Sequence, residues 1–195
     1  MARTITAFQN LTLDGVMQGP GRADEDPRDG FAHGGWTHGY QDEVLGQFQG
    51  EGLASETELL FGRRTYEDVL GFWTSTPDPN PFTDVLVNSP KYVVSRSADA
   101  ELAYPNSELL IGDAVEQVAA LRERGGLPLM VMGSGQLVRA LHRAHLIDEY
   151  VLLMHPIVLG SGTRLFGDGD RVDLELERSI PTTTGVLITQ YRRRS

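Results

Sequence analysis

Three short stretches of the chain combine glycine, hydroxyl and arginine in patterns that can hold an anion. In Phe61-Gly62-Arg63-Arg64-Thr65 a glycine follows an apolar run, and two arginines follow the glycine. Glycine lets backbone approach a ligand closely, the N–H groups that open a helix attract negative charge, and the guanidiniums add fixed positive charge. The same residues would also make a plain turn whose arginines pair with surface acids. Gly133-Ser134-Gly135-Gln136-Leu137 likewise follows an apolar run, Leu129-Met130-Val131-Met132, and opens a helical pattern. Phosphate or pyrophosphate binds in that context, on a helix N-terminus. The dinucleotide fingerprint is absent, because Val138 stands where a third glycine would fall. The third stretch, Val94-Ser95-Arg96-Ser97, suits either a nucleotide's 2′-phosphate or a polar turn. If the apolar runs are strands of a mostly parallel sheet, all three stretches lie at carboxyl ends of strands, where ligands collect.

Other side chains offer less. Asp14 precedes Gly15 and reads first as a turn former, then as a hydrogen-bond acceptor for substrate and a weak candidate for catalysis. Tyr40 is the other weak catalytic candidate. Trp36 and Tyr40 are large rings in a stretch of small residues, set either to fold back onto a core edge or to stack on a flat heterocycle of a substrate. His33 and His38 share that stretch. His142 and His145 lie one helical turn apart with no carboxylate pattern to complete a metal site, and His155-Pro156 ends a strand and is expected to pack. There is no Gly-x-Ser-x-Gly elbow, no P-loop and no His-Glu-x-x-His, so hydrolase, kinase and metalloprotease readings have no support.

The elements that must position these residues are legible in outline. Thr4 to Leu13 reads as a strand closed by the turn pair Asp14-Gly15. Between residues 15 and 39, seven of 25 residues are glycine, and no periodicity survives, so this is a long loop that binds or covers something. A short helix is expected from Gln41 on the face of Val44, Leu45 and Phe48, then a buried strand Glu58–Phe61. A helix capped by Thr65 follows, then a surface loop from Thr76 to Pro81 and a strand from Lys91 to Ser95. In the second half, Leu109–Ile111 is strand-like, and Asp113 caps a helix with Glu116 at the capping-box position. Gly125-Gly126 ends that helix, Leu129–Met132 is an all-apolar strand, and a helix runs through Leu137, Val138 and Leu141. Tyr150–Met154 is a strand, and Leu174–Ser179 and Val186–Tyr191 form an antiparallel pair. This alternation argues for a three-layer α/β/α sandwich with a mostly parallel central sheet and an antiparallel C-terminal strand. Without repeat or linker, residues 1–195 are expected to form one domain.

Composition limits the partners. The 195 residues carry 17 Lys and Arg against 27 Asp and Glu, a net charge of −10. Such a chain repels nucleic acid and anionic membranes. The absence of cysteine excludes disulfides, thiolate zinc sites, iron–sulfur clusters and a cysteine nucleophile. No signal peptide or membrane-spanning apolar run is visible, so a cytoplasmic protein acting on a small molecule is expected.

The ordered series Ile5-Thr6-Ala7-Phe8-Gln9-Asn10-Leu11-Thr12-Leu13-Asp14-Gly15, Gly62-Arg63-Arg64-Thr65-Tyr66-Glu67, Val94-Ser95-Arg96 and Val131-Met132-Gly133-Ser134-Gly135 resembles the dihydrofolate reductase superfamily. The nearer branch is built like the C-terminal reductase domain of the bifunctional riboflavin-biosynthesis deaminase-reductase. The stretch from Leu146 to Gly162 is similar to that branch's late strand and loop.

The resemblance covers nearly the whole chain. It implies a central sheet of about eight strands, NADPH as cofactor and hydride transfer to a pteridine or a ribosylaminopyrimidine, as by a 5-amino-6-(5-phosphoribosylamino)uracil reductase. Matched motif by motif, Gly62, Arg63, Arg64 and Thr65 would hold the adenosine 2′-phosphate and pyrophosphate side. Ser95 and Arg96 would lie near the adenine end, and Gly133, Ser134, Gly135, Gln136 and Leu137 would cradle the pyrophosphate. Asn10 and Met17 would lie near the nicotinamide, under a mobile loop in which Trp36 and Tyr40 cover the substrate. The carboxylate with which folate reductases hold the pteridine falls in the neighbourhood of Asp42 and Glu43 without matching either. That gap motivates an alternative, a nucleotide- or flavin-binding module without turnover. Relatives of the branch pair, so a homodimer through the apolar final strands is expected.

Overall fold

The computed structural model describes residues 2–77 and 80–194. Part of the expected Thr76–Pro81 loop therefore lies outside the described residues. Eight strands, β1 (Ile5–Thr12), β2 (Glu58–Gly62), β3 (Lys91–Ser95), β4 (Ser107–Ile111), β5 (Leu129–Met132), β6 (Glu149–His155), β7 (Leu174–Pro181) and β8 (Leu187–Arg193), form one sheet. Their order is β4-β3-β2-β5-β1-β6-β8-β7. The pairs β2–β3, β2–β5 and β3–β4 are parallel, while β8 runs antiparallel to both β6 and β7. The helices are α1 (Glu43–Leu53), α2 (Arg63–Ser75), α3 (Pro81–Asn88), α4 (Ala114–Glu123) and α5 (Gly135–Arg143). The α/β class with antiparallel C-terminal strands is as the sequence led us to expect.

The chain divides into two compact units, Met1–Thr6 with Glu51–Ile147 and Ala7–Gly50 with Asp148–Ser195. In the first, parallel strands that are apolar on both faces bury Leu59, Phe61 and Val93 with Tyr66, Leu70 and Leu86 of the helices. Tyr66 is buried, so its hydroxyl must find partners; it lies 3.0 Å from Ser107 Oγ and accepts from the Tyr104 N–H at 3.0 Å. Arg3 is also buried here. It pairs with Glu58, donates from Nε to the Leu127 carbonyl at 2.6 Å and lies 5.4 Å from the centre of the Tyr92 ring.

In the second unit, Leu45 and Phe48 of α1 pack on Val151, Leu153, Val186 and Ile188. A smaller cluster of Val16, Phe31 and Trp36 lies under the glycine-rich stretch. That stretch carries its own framework. Gln18 is buried, and its Oε1 accepts from the Thr163 N–H and hydroxyl at 2.9 and 3.0 Å. Its Nε2 donates to the Asp26 and Arg28 carbonyls, both at 3.1 Å, and its own carbonyl accepts from Trp36 Nε1 at 2.7 Å. A Cβ at Gly34 would stand 2.4 Å from the Ala23 carbonyl oxygen, so here glycine is required by close packing of two backbones. The segment expected to be a mobile cover is thus cross-linked from within.

Two local expectations need correction. Helix α2 begins at Arg63, not after Thr65: its N-cap is Gly62, with no side-chain capping bond. Thr65 instead turns its methyl toward Gly133, where a Cβ would meet Thr65 Cγ2 at 3.1 Å. Helix α3 was not anticipated. Asn80 caps it by accepting from the Phe82 and Thr83 N–H groups at 2.9 and 3.1 Å, and Pro81 occupies its first turn. The cap and first-turn proline are ordinary start signals, masked by the proline-rich run before them.

Candidate functional site

In the first unit, the parallel register places the three anion-suited stretches side by side. Gly62 pairs with Val94, which sets Arg63 beside Ser95. Leu60 pairs with Val131, so two residues on Gly62 stands beside Gly133. The carboxyl ends of β3, β2 and β5 therefore present Ser95-Arg96, Gly62-Arg63-Arg64 and Gly133-Ser134-Gly135 in one row. A hydrogen bond fixes the row: the Gly62 N–H donates to Ser134 Oγ at 3.0 Å. Gly133 and Ser134 have φ values of +57° and +49°. The left-handed turn they make is easy for glycine and tolerable for a short polar residue.

The helix starts of this unit fall into two kinds. Helices α3 and α4 are capped by their own side chains, Asn80 and Asp113, the latter accepting from the Val115 and Glu116 N–H groups. Helices α2 and α5, which rise from the row, have no side-chain cap and no acid in the first turn. Their opening N–H groups are left for another acceptor, and the dipole favours a negative one. Arg64 and Arg96 are exposed beside them. Arg63 is engaged along its own helix, Nε donating to Glu67 Oε1 at 2.8 Å. Ser95 is buried and its hydroxyl accepts from the Ser97 N–H at 3.1 Å. Gln136 is exposed at the start of α5, and Leu137 is buried. The donor set of uncapped amides, hydroxyls and guanidiniums fits the phosphates of a dinucleotide.

In the second unit, the turn between residues 12 and 16 is locked to the segment after β6. Asp14 accepts from Thr12 Oγ1 at 2.7 Å, from the Leu159 N–H at 3.2 Å and from the Gly160 N–H at 2.9 Å, with Arg164 at 3.4 Å. The Thr12 hydroxyl foremost, with the two amides, holds this carboxyl down to about 2 against a desolvation that opposes them. At neutral pH it carries no proton to donate, and its contacts are those of the turn former. Met17 is bound into the same turn, its N–H donating to the Thr163 carbonyl at 2.9 Å.

Asp42, in the neighbourhood of the folate reductases' carboxylate, is likewise committed. Its Oδ1 accepts from the Leu45 N–H at 2.8 Å, and its Oδ2 accepts from the Thr183 N–H and hydroxyl at 2.6 and 2.7 Å. These bonds, Leu45's foremost, hold its pKa below the ordinary carboxylate value. It caps α1 and ties the β7–β8 turn.

The residue to which sequence reasoning gave packing alone is His155. It ends β6, is 1% exposed, and its Nε2 lies 3.0 Å from Asn10 Oδ1. Trp36 and Tyr40 stand edge-to-face against its ring at 5.2 and 5.3 Å between centroids. Burial pushes the imidazole down to about 4, so it is neutral at physiological pH. The one available signal was a polar residue closing an apolar strand, with two aromatic residues in the loop expected to lie near substrate. Trp36 has folded back onto a core edge, one of the two roles expected of it. Among the described residues no cluster of His, Asp and Glu could hold a metal ion, and no helix is long and apolar enough to cross a membrane.

Comparison with known proteins identifies the fold and the family. The chain is 28% identical over 190 residues to the uncharacterized protein YyaP of Bacillus subtilis (strain 168), covering 93% of this chain and 90% of that protein. Among solved structures it is similar to a putative riboflavin biosynthesis protein from Shewanella sp. PV-4, with a TM-score of 0.66 and 22% identity over 100% of both chains. It is also similar to the dihydrofolate reductase of Enterococcus faecalis, solved with NADP(H), with a TM-score of 0.64 and 14% identity over 100% of both chains. At such identities these structures establish the fold, which is that of dihydrofolate reductase. The family model of the RibD C-terminal domain matches residues 3–188, and the chain belongs to that family.

Proposed function

We propose that the protein is an NADPH-dependent reductase that passes a hydride to a small nitrogen heterocycle of the pteridine or ribosylaminopyrimidine class. The observation that carries this reading is the pairing of two uncapped helix N-termini, α2 and α5, on adjacent strands, joined by the Gly62–Ser134 bond. In a chain of net charge −10, that edge also keeps Arg64 and Arg96. Family membership and the solved relatives support the reading, one of them being a reductase complexed with NADP(H).

NADPH, when bound, supplies the hydride. The chain's part is to hold and orient. The Gly133–Leu137 backbone and the Ser134 hydroxyl, itself held by the Gly62 N–H, bind pyrophosphate; Arg64 and Arg96 read the 2′-phosphate, Arg63 and Thr65 shape the start of α2 beside them, and Ser95 shapes the turn that carries Arg96. Asn10 and Met17 remain the residues assigned to the nicotinamide by resemblance, and Trp36 and Tyr40 those assigned to the substrate. With Asp14 ionised and committed to the turn, Tyr40 is the better candidate of the two for delivering a proton. We further propose that the protein is a cytoplasmic homodimer, paired through its final strands; a monomer mass by light scattering would overturn the pairing.

The test is a spectrophotometric assay of NADPH oxidation with a panel of pterins and ribosylaminopyrimidines. Saturable, protein-dependent oxidation with at least one member is the expected result. Cofactor binding with no oxidation across the panel would replace the reductase with a nucleotide-binding module on the same fold.

A further inference from the structure

Within the second unit, His155 carries a polar atom that the fold leaves unused. An amide oxygen only accepts, so the His155 Nε2 that faces Asn10 Oδ1 at 3.0 Å carries the ring's hydrogen. In the neutral ring Nδ1 is then a bare acceptor. It is buried and has no hydrogen-bond partner. A buried acceptor without a donor destabilises the fold, and native structures keep few of them without a reason.

The two rings against His155 are held differently. Trp36 is buried among Val16 and Phe31, with Nε1 bonded to the Gln18 carbonyl, so it is fixed. Tyr40 is half-buried. Its main chain is anchored, the carbonyl accepting from Thr184 Oγ1 at 2.7 Å, and its ring lies at the edge of the Leu45–Phe48 cluster. Of the two rings, Tyr40 is thus the one whose side chain can turn without undoing the loop.

We propose that His155 Nδ1 is a recognition acceptor in the substrate site, and that the Tyr40 ring turns aside so that a planar heterocycle donates a neutral N–H to it. The class of ligand rests on the reductase reading; the acceptor and its cover rest on the geometry alone. Such a ring replaces the aromatic contact that Tyr40 gives up. A ligand offering only carbonyl or anionic oxygen faces a lone pair and is rejected, because an acceptor cannot satisfy an acceptor. Lactam and aminopyrimidine edges carry the required donor. Recognition of this kind would stand in place of Asp42, which is spent on α1 and the β7–β8 turn.

The test uses the full chain without NADPH, and pterin and 5,6-diaminouracil as probes. Nitrogen-15 NMR of the imidazoles follows His155 directly. On saturation the Nδ1 resonance is expected to move upfield, in the sense of a lone pair that accepts a hydrogen bond, while Nε2 keeps the position of a protonated nitrogen. His155→Phe, which keeps a ring of similar shape, should bind about tenfold more weakly, with thermal unfolding confirming that it folds. If the variant does not fold, the wild-type spectrum decides alone. An Nδ1 resonance unmoved by millimolar amounts of either probe overturns the proposal, as does wild-type affinity in folded His155→Phe. Since NADPH is absent, failure of cofactor binding measured separately would sink the reductase reading and leave this result standing.

Discussion

Replacing Arg3 by alanine is expected to lower stability by about 3–5 kcal/mol, the cost of stranding the partner of a buried ion pair. The side chain is 1% exposed and that of Glu58 only 14%, so water cannot take over the carboxylate's solvation. The substitution also removes the bond to the Leu127 carbonyl and the guanidinium beside the Tyr92 ring. For a chain of this length the melting midpoint should fall by roughly 6–20 °C. The double substitution Arg3→Met with Glu58→Leu should recover most of the loss, because the damage comes from the unpaired charge rather than from the missing attraction. Denaturant midpoints of the wild type and the two variants measure it. A loss below about 1 kcal/mol in Arg3→Ala, the range of exposed pairs, would show that the pair is not buried in solution.

The second large effect concerns cofactor choice. Of the three arginines at the row of strand ends, Arg63 is occupied by Glu67, whereas Arg64 and Arg96 are exposed beside the uncapped helix starts. A hydrogen bond to a charged group contributes about 1.5–3 kcal/mol, and exposure puts both arginines at the lower end. The double variant Arg64→Ala/Arg96→Ala should therefore lose on the order of 100-fold in NADPH affinity, and NADH, which lacks the 2′-phosphate, should lose less than about threefold. Calorimetric titration of both nucleotides against wild type and variant decides it. Equal losses for the two would remove the 2′-phosphate from these side chains and leave them a general electrostatic part.

The chemistry of the first unit was legible because it is written in local sequence. Gly62-Arg63-Arg64 and Gly133-Ser134-Gly135 each follow an apolar run and precede a helical one, and a parallel sheet then brings such junctions to one edge. The sequence could not show which helix starts would lack caps. Thr65 looked like a cap, yet the helix takes Gly62 as its boundary and spends Thr65 on packing against Gly133. In the second unit the controlling contacts span long stretches of chain, and no short motif announces them. Asp14 meets Gly160, Asp42 meets Thr183 and Asn10 meets His155 across more than 140 residues. Carboxylates that looked available for chemistry are there spent on turns. A histidine that looked like packing holds the unused acceptor.

Whether this fold holds NADPH is decided by thermal unfolding of the wild type with NADPH, NADH, FMN or no ligand. Ligand at about 100 times its dissociation constant adds roughly 2.7 kcal/mol, which raises the midpoint by about 5–11 °C at this chain length. That rise is expected with NADPH, and a smaller one with NADH. No shift with either nicotinamide, or a shift with FMN alone, would contradict it.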